Sequence, residues 1–156
     1  PMSLIQHFEI IRGSTVDLFD LTQDYARRLE WDPFPDRYEF HDGAARPDVG
    51  VELSVQARNG YSMRVRYVSF NRPHAAAIEM VSGPWFIARF AGAWNFSAIA
   101  DGLTRVTFKY NVAASPSSLG LIVQPILNWS MARHTKRRLL GLKVYSEQSR
   151  VVNVRA

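Results

Sequence analysis

The sequence predicts an α+β domain in which a curved antiparallel sheet of six or seven strands wraps a long C-terminal helix, with two short helices after the first strand. Three observations carry that prediction. Between residues 37 and 114 strand-like runs alternate with short turn signals, so hairpin follows hairpin. After the breaker Ser115-Pro116-Ser117-Ser118 the apolar pattern changes from a period of two to a helical period that persists to about residue 149. Four of the strands share an aromatic face that must be covered, and the C-terminal segment is the only amphipathic element long enough to cover it.

Residues 4–12 read as a strand, with Leu4, Phe8 and Ile10 on one alternating face. Ser14 is placed to cap a helix whose first turn holds Asp17 and whose buried side is Val16, Leu18, Phe19 and Leu21. A second helix over residues 22–29 stops at Trp31-Asp32-Pro33-Phe34-Pro35, because proline has no N–H and disfavours helix at the residue before it. Strands follow over residues 37–41, 49–58, 61–70, 74–81, 85–99 and 103–113. Asn59-Gly60 is the signal of a two-residue hairpin loop with positive φ at both positions.

Alternation directs Tyr61, Met63, Val65 and Tyr67 inward, then Ala76, Ile78 and Met80, then Phe86, Phe90, Trp94 and Phe96, then Val106, Phe108, Tyr110 and Val112. In the last helix Ile122, Ile126, Trp129, Arg133, Arg137, Leu140 and Val144 fall near one stripe. Gly120, Pro125 and Gly141 imply a bent or closely packed helix, and residues 151–156 form a short tail.

A chain of 156 residues, 47% hydrophobic and 21% charged, has the size and balance of one globular domain spanning residues 1–156. With no cysteine there is no disulfide, no thiolate nucleophile and no cysteine-ligated metal, and a cytoplasmic location is the simplest fit. Residue 4 onward runs straight into strand-like sequence, so no signal peptide is expected, and Arg89 and Asn95 interrupt the most apolar stretch, which argues against a spanning helix. The net charge of +5 is spread along the chain apart from a cluster at Arg133, Lys136, Arg137 and Arg138. That cluster is compatible with weak contact to an anionic membrane surface; without a recognisable nucleic-acid module, nucleic acid is not the expected partner. The sequence leaves the oligomeric state open.

A helix about 10 Å wide cannot fill a strongly curved sheet, and the gap is the expected site for a hydrophobic small molecule. Its wall is expected to comprise Met63, Tyr67, Met80, Phe90, Trp94, Phe108 and Tyr110 from the sheet and Ile126, Trp129 and Arg133 from the helix. Each of these aromatics is also a natural core residue. Tyr67, Tyr110 and Trp94 add polar handles, and Arg133 and Arg137 near the apolar stripe are placed to hold a carboxylate or enolate oxygen. Any catalytic group is to be sought among Tyr67, Tyr110, Arg133 and His134.

Other chemistries find no support. His7, His41, His74 and His134 lie far apart with no HExxH pairing, so no metal is expected. Asp17, Asp20 and Asp24 are explained by the helix dipole. There is no G-x-S-x-G elbow, Walker loop or G-x-G-x-x-G after a strand, so neither a serine hydrolase nor a nucleotide cofactor is expected, and no other cofactor is called for.

Leu18-Phe19 in the first helix, Asp24 followed by Trp31-Asp32-Pro33-Phe34, and Leu142-Lys143 with Glu147 near the end of the last helix complete a recognisable order of elements. That order resembles the helix-grip superfamily of birch-pollen-allergen-like and START domains, closest to its polyketide cyclase/dehydrase and lipid-transport group. The resemblance implies a deep cavity for lipids, sterols, quinones, plant hormones or aromatic polyketides. In members that are enzymes it implies aldol cyclisation and dehydration guided by cavity shape, without metal, and it transfers no residue role by motif. Three functions follow as expectations: a binder or carrier of a hydrophobic molecule, a cyclase or dehydratase using polar cavity residues, and an interaction module working through the basic helix.

Overall fold

The computed structural model describes residues 3–116 and 119–155; Pro1, Met2, Ala156 and the Ser117-Ser118 part of the predicted breaker lie outside the described residues. The order is β1 (Ser3–Arg12), α1 (Thr15–Gln23), α2 (Tyr25–Trp31), β2 (Pro35–Phe40), β3 (Glu52–Ala57), β4 (Ser62–Asn71), β5 (Ala75–Ser82), β6 (Ile87–Ala100), β7 (Leu103–Ala114) and α3 (Gly120–Arg155). The seven strands form one antiparallel sheet in the order β1-β7-β6-β5-β4-β3-β2, with α3 against its concave face. The sheet, the two short helices and the long last helix are those the sequence predicts.

Local chemistry explains the elements. Ser14 caps α1 by accepting from the Asp17 N–H at 3.1 Å, and Asp24 caps α2 by accepting from Ala26. The β3–β4 hairpin differs from expectation: Gly60 takes φ +92°, but Asn59 does not enter the left-handed region. Gly60 N–H donates to the Ala57 carbonyl and Ala57 N–H to the Tyr61 carbonyl, the three-residue loop with glycine in the left-handed position. A register shift between Tyr67 and Ser69 bends β4 and resets its alternation. Tyr67 and Phe70 therefore both face inward, and Phe70 packs edge-on to Phe19 at 5.2 Å.

Two inward faces must be corrected. On β1, Leu4 and Phe8 are 60% and 56% exposed, and the buried residues are Ile5 and Ile11, of opposite parity. Aliphatic side chains occur at both parities, and Ile5 wins because it packs with Val112 and Leu127. Val16 of α1 is also exposed, unlike Leu18, Phe19 and Leu21.

On α3 the buried stripe is Leu127, Thr135, Arg138, Leu139, Leu142 and Ser146, whereas Ile122, Ile126, Trp129, Arg133, Arg137, Leu140 and Val144 face largely outward. The two stripes are offset by two positions, about 200° around a helix. Counting apolar residues selects the wrong side because the inner side carries polar groups satisfied within the protein. Thr135 Oγ1 donates to the Met131 carbonyl, Ser146 to that of Lys143, and Arg138 to a carboxylate. The helix also continues through Arg155, so the predicted tail belongs to it. No helix among the described residues is long and apolar enough to cross a membrane.

Side chains seat α3 near both ends of its sheet contact. Gln124 accepts from Ala114 N–H at 2.7 Å and donates to the Val112 carbonyl. Further on, Gly141 lies under the Trp31 carbonyl, where a Cβ would collide with the oxygen. Lys143 reaches Glu9 at 3.7 Å, and Glu147 accepts from Arg12 N–H. Gly141→Ala is therefore expected to lower unfolding free energy by about 1–3 kcal/mol, as overpacking against fixed backbone does. Leu140→Ala, on the exposed side, should change it by less than about 0.5 kcal/mol. Denaturant melts of the two variants check this, and equal losses would refute the close approach.

Candidate functional site

Between α3 and the sheet a cavity of about 370 Å3 remains, inside the range of ligand sites. Its sheet side comprises Met63, Val65 and Tyr67 of β4, Ala76 and Ile78 of β5, Phe90, Gly92 and Trp94 of β6, and Phe108 and Tyr110 of β7. Its helix side comprises Ile126, Leu127, Ser130, Met131, His134 and Arg138 of α3, with Tyr25 and Arg28 of α2 closing one end. Trp94 and Phe108 stack with centroids 3.9 Å apart and 9° between their planes, and Tyr110 follows Phe108 at 4.6 Å. Gly92 makes room for that aromatic wall, since a Cβ there would stand 2.9 Å from the Tyr110 ring.

A directed chain of hydrogen bonds runs behind the α2 end. The single Tyr67 hydroxyl hydrogen goes to Gln23 Oε1 at 2.7 Å, so in the 2.6 Å contact between the two phenols Tyr25 is the donor. Gln23 then donates to Thr22 Oγ1, and Thr22 to the Phe19 carbonyl. Burial, reinforced by Tyr25, holds the Tyr67 pKa well above the usual phenol value. Both phenolic hydrogens are committed, so this pair is a fixed part of the wall and not a base.

Beside it lies a buried ion pair. Arg138, 6% exposed, donates from Nε and Nη2 to the fully buried Asp32 carboxylate, with Nη2 2.8 Å from Oδ2. Its Nη1 donates to Tyr110 Oη, and its guanidinium lies 5.0 Å from the Phe34 and 4.6 Å from the Phe108 ring centre. Burial alone would weaken the guanidinium's hold on its proton, but the facing Asp32 carboxylate outweighs it and the pKa is raised. Burial also pushes Tyr110 up to about 12 against the opposing pull of Arg138.

His134 is half-buried in the wall, with its ring edge-on to Phe34 at 5.0 Å. Burial, then the charges of Arg138, Arg137 and Arg133, lower its pKa below the ordinary 6.5, so the imidazole is neutral at pH 7. Arg28 is as deeply buried as Arg138 but has no carboxylate partner among the described residues. One Nη donates to the Thr22 carbonyl, the guanidinium lies over the Tyr25 ring at 4.3 Å, and Nε has no hydrogen-bond partner.

Of the residues named from sequence, Met63, Tyr67, Phe90, Trp94, Phe108, Tyr110 and Ile126 line the cavity. Met80 packs beside it against the Ile5, Ile87, Val112 and Leu127 cluster. Trp129, 64% exposed, and Arg133, stacked over it at 5.4 Å, lie on the outer side of α3 because the helix is turned the other way. Among the proposed catalytic groups Tyr67, Tyr110 and His134 are in the wall and Arg133 is not. Arg138, read as part of a surface basic cluster, is interior. Tyr25, Arg28 and Asp32 were missed as site residues; the available signal was that Arg138 falls at helical spacing with Leu127, Met131 and Leu142. Among the described residues no three His, Asp or Glu side chains gather to hold a metal ion.

The family model described as polyketide cyclase / dehydrase and lipid transport matches residues 6–147. No curated protein matches the sequence. Among solved structures, the Zhui aromatase/cyclase from Streptomyces sp. R1128 aligns with a TM-score of 0.82 at 10% identity, over 95% of each chain. A START superfamily protein from Mycobacterium smegmatis aligns at 0.73 and 11% identity over 93% of this chain and 97% of that one. A norcoclaurine synthase point mutant from Thalictrum flavum, in complex with a transition state analogue, aligns at 0.70 and 11% identity over 94% and 97%. At such identities the likeness is one of fold.

Asp32→Asn leaves the Arg138 charge buried and unpaired, and should cost about 3–5 kcal/mol of unfolding free energy. Arg137→Gln, one residue away but exposed, should cost less than about 0.5 kcal/mol. Chemical denaturation of both variants checks the assignment of Arg138 to the interior.

Proposed function

The chain belongs to the polyketide cyclase/dehydrase and lipid-transport family, and on that footing we propose that it binds and carries a hydrophobic, flat conjugated molecule in the cavity beneath α3. The observation that carries this reading is the space of about 370 Å3 against the stacked Trp94–Phe108 wall. A planar ring system buried there gains from apolar area removed from water and from offset or edge contacts with that wall. The relatives' descriptions, an aromatase/cyclase among them, support the same class of ligand.

The neutral fluorophore N-phenyl-1-naphthylamine tests the reading, because its emission rises on leaving water. The wild-type protein should bind it saturably. Met131→Trp, which fills the cavity from α3, should weaken binding by about 10-fold or more, the effect of losing roughly 1.4 kcal/mol of contact. Leu140→Trp, on the outer side of the same helix, should leave it unchanged. Equal binding by both variants would overturn the proposal.

A second reading, cyclisation with dehydration, is favoured by the neutral His134 in the cavity wall, since an imidazole held unprotonated at neutral pH is ready to take a proton from a carbon acid. Tyr110, kept protonated by burial, is suited to hydrogen bonding and not to base catalysis. With a linear poly-β-ketone substrate, turnover should rise through the depressed imidazole pKa and persist below pH 6.5. His134→Gln should remove that acid limb together with most of the rate, by about 100-fold, while fluorophore binding stays intact. An unchanged pH profile in His134→Gln would eliminate this reading.

A further inference from the structure

We propose that the molecule held in the cavity is a hydrophobic carboxylic acid whose carboxylate pairs with Arg28, its apolar body extending from there along the aromatic wall. This rests on the reading that the cavity takes a hydrophobic molecule, and it adds the class and orientation of that molecule.

A guanidinium 6% exposed is normally matched by a carboxylate, because removing a lone charge from water costs several kcal/mol. The acidic groups nearest Arg28 along the chain are all committed elsewhere. Asp32, four residues on, faces Arg138. Asp24, four residues back, caps α2 at Ala26, and Glu30 accepts from Tyr145 Oη. Arg28 has one carbonyl acceptor, from Thr22, and two ring faces, Tyr25 at 4.3 Å and Trp31 at 5.8 Å. Its Nε donor is buried with no acceptor, although the side chain forms part of the cavity wall. A buried donor left without an acceptor is costly, and a carboxylate oxygen is the group that would satisfy both the donor and the charge.

The surroundings make Arg28 the anchor at this end. The Tyr25 and Tyr67 hydroxyl hydrogens are used within the chain that ends on Phe19, so neither phenol has a hydrogen to give a ligand. Arg138, the other cation in the wall, already has its charge paired with Asp32 and donates from Nη1 to Tyr110. Arg28 also sits at the inner end of the cavity. Tyr61, just before β4, is exposed, whereas Tyr67 is buried and touches Tyr25, about 20 Å further along the chain at the rise of a strand. An acid group at Arg28 therefore leaves the apolar body to run toward the open end at Tyr61, past Phe90 and Trp94.

The matched pair anthracene-2-carboxylate and anthracene-2-carboxamide, titrated calorimetrically at neutral pH, tests the proposal, since the two differ in charge and hardly in shape. The wild-type protein should bind the carboxylate about 10-fold or more tightly than the carboxamide, as a desolvated charge-assisted pair requires. Arg28→Met should abolish the preference while keeping carboxamide affinity, and Arg28→Lys, which also stands in if the methionine variant fails to fold, should retain only part of it. Arg133→Met, on the outer side of α3, should leave the preference intact. Equal binding of the two compounds by the wild-type protein, a preference that survives in Arg28→Met or stays undiminished in Arg28→Lys, or its loss in Arg133→Met overturns the assignment of the acid to Arg28 and leaves the cavity reading standing. Failure of both compounds to bind overturns the cavity reading and this proposal with it.

Discussion

Arg138 and Asp32 are 106 residues apart in sequence, and their contact closes the molecule. Burying two charges is unfavourable unless they are paired and hydrogen-bonded, and here the partners come from two further parts of the chain, the segment after α2 and β7. The Asp32 carboxylate takes Nε and Nη2 and also accepts from Phe34 N–H. Tyr110 takes Nη1, and the Phe34 and Phe108 rings cover the guanidinium. Moving α3 around its axis or along it would strand both charges. The pair therefore fixes how α3 lies on the sheet, and the approach of Gly141 to the Trp31 carbonyl one turn later is possible only in that setting.

Inward aromatic side chains fill the concavity at one end of the sheet and border the cavity at the other. Phe19 fills the concavity beside α1, with Phe70 and Phe96 edge-on to it at 5.2 and 5.4 Å. There α1 lies over the sheet and its Leu18 and Phe19 side chains are fully buried. Toward the other end α3 is the main cover, with α2 closing one side, and a helix is narrower than the curved sheet beneath it. The Trp94, Phe108 and Tyr110 rings border that space while still packing on one another, with the Arg138 guanidinium 4.6 Å from the Phe108 ring centre.

This division explains what was legible in the sequence. The meander from β2 to β7 could be read because glycine and asparagine mark its turns and alternation is unbroken along β7, where Val106, Phe108, Tyr110 and Val112 all point inward. Alternation failed where a strand offered apolar residues at both parities, as in β1, or where a bulge reset the count, as between Tyr67 and Ser69. The cavity's sheet side was therefore mostly visible in advance. Its helix side was visible only at Ile126 and His134, because periodicity assumes that charge lies outside. Arg138 looked like one of a run of surface bases, and Ile122, Ile126 and Trp129 looked like the buried stripe. The arrangement inverts that assumption, and a buried arginine can be told from an exposed one only when its carboxylate, in this case Asp32 at the far end of α2, is known to face it.

Gln124 and Arg138 also give α3 the mechanics of a beam resting on two piers. The stretch between them spans about 21 Å at the rise of an α-helix and carries Leu127, Met131 and His134 over the void. A beam held at both ends bows little in its middle, so these two anchors set the height of the cavity's ceiling. On the proposed reading such a ceiling would sort molecules by thickness and length, admitting flat ones and refusing bulky ones. On that reading the way in would lie at the cavity's rim by the β3–β4 hairpin, where Tyr61 meets Phe86 edge-on at 5.1 Å.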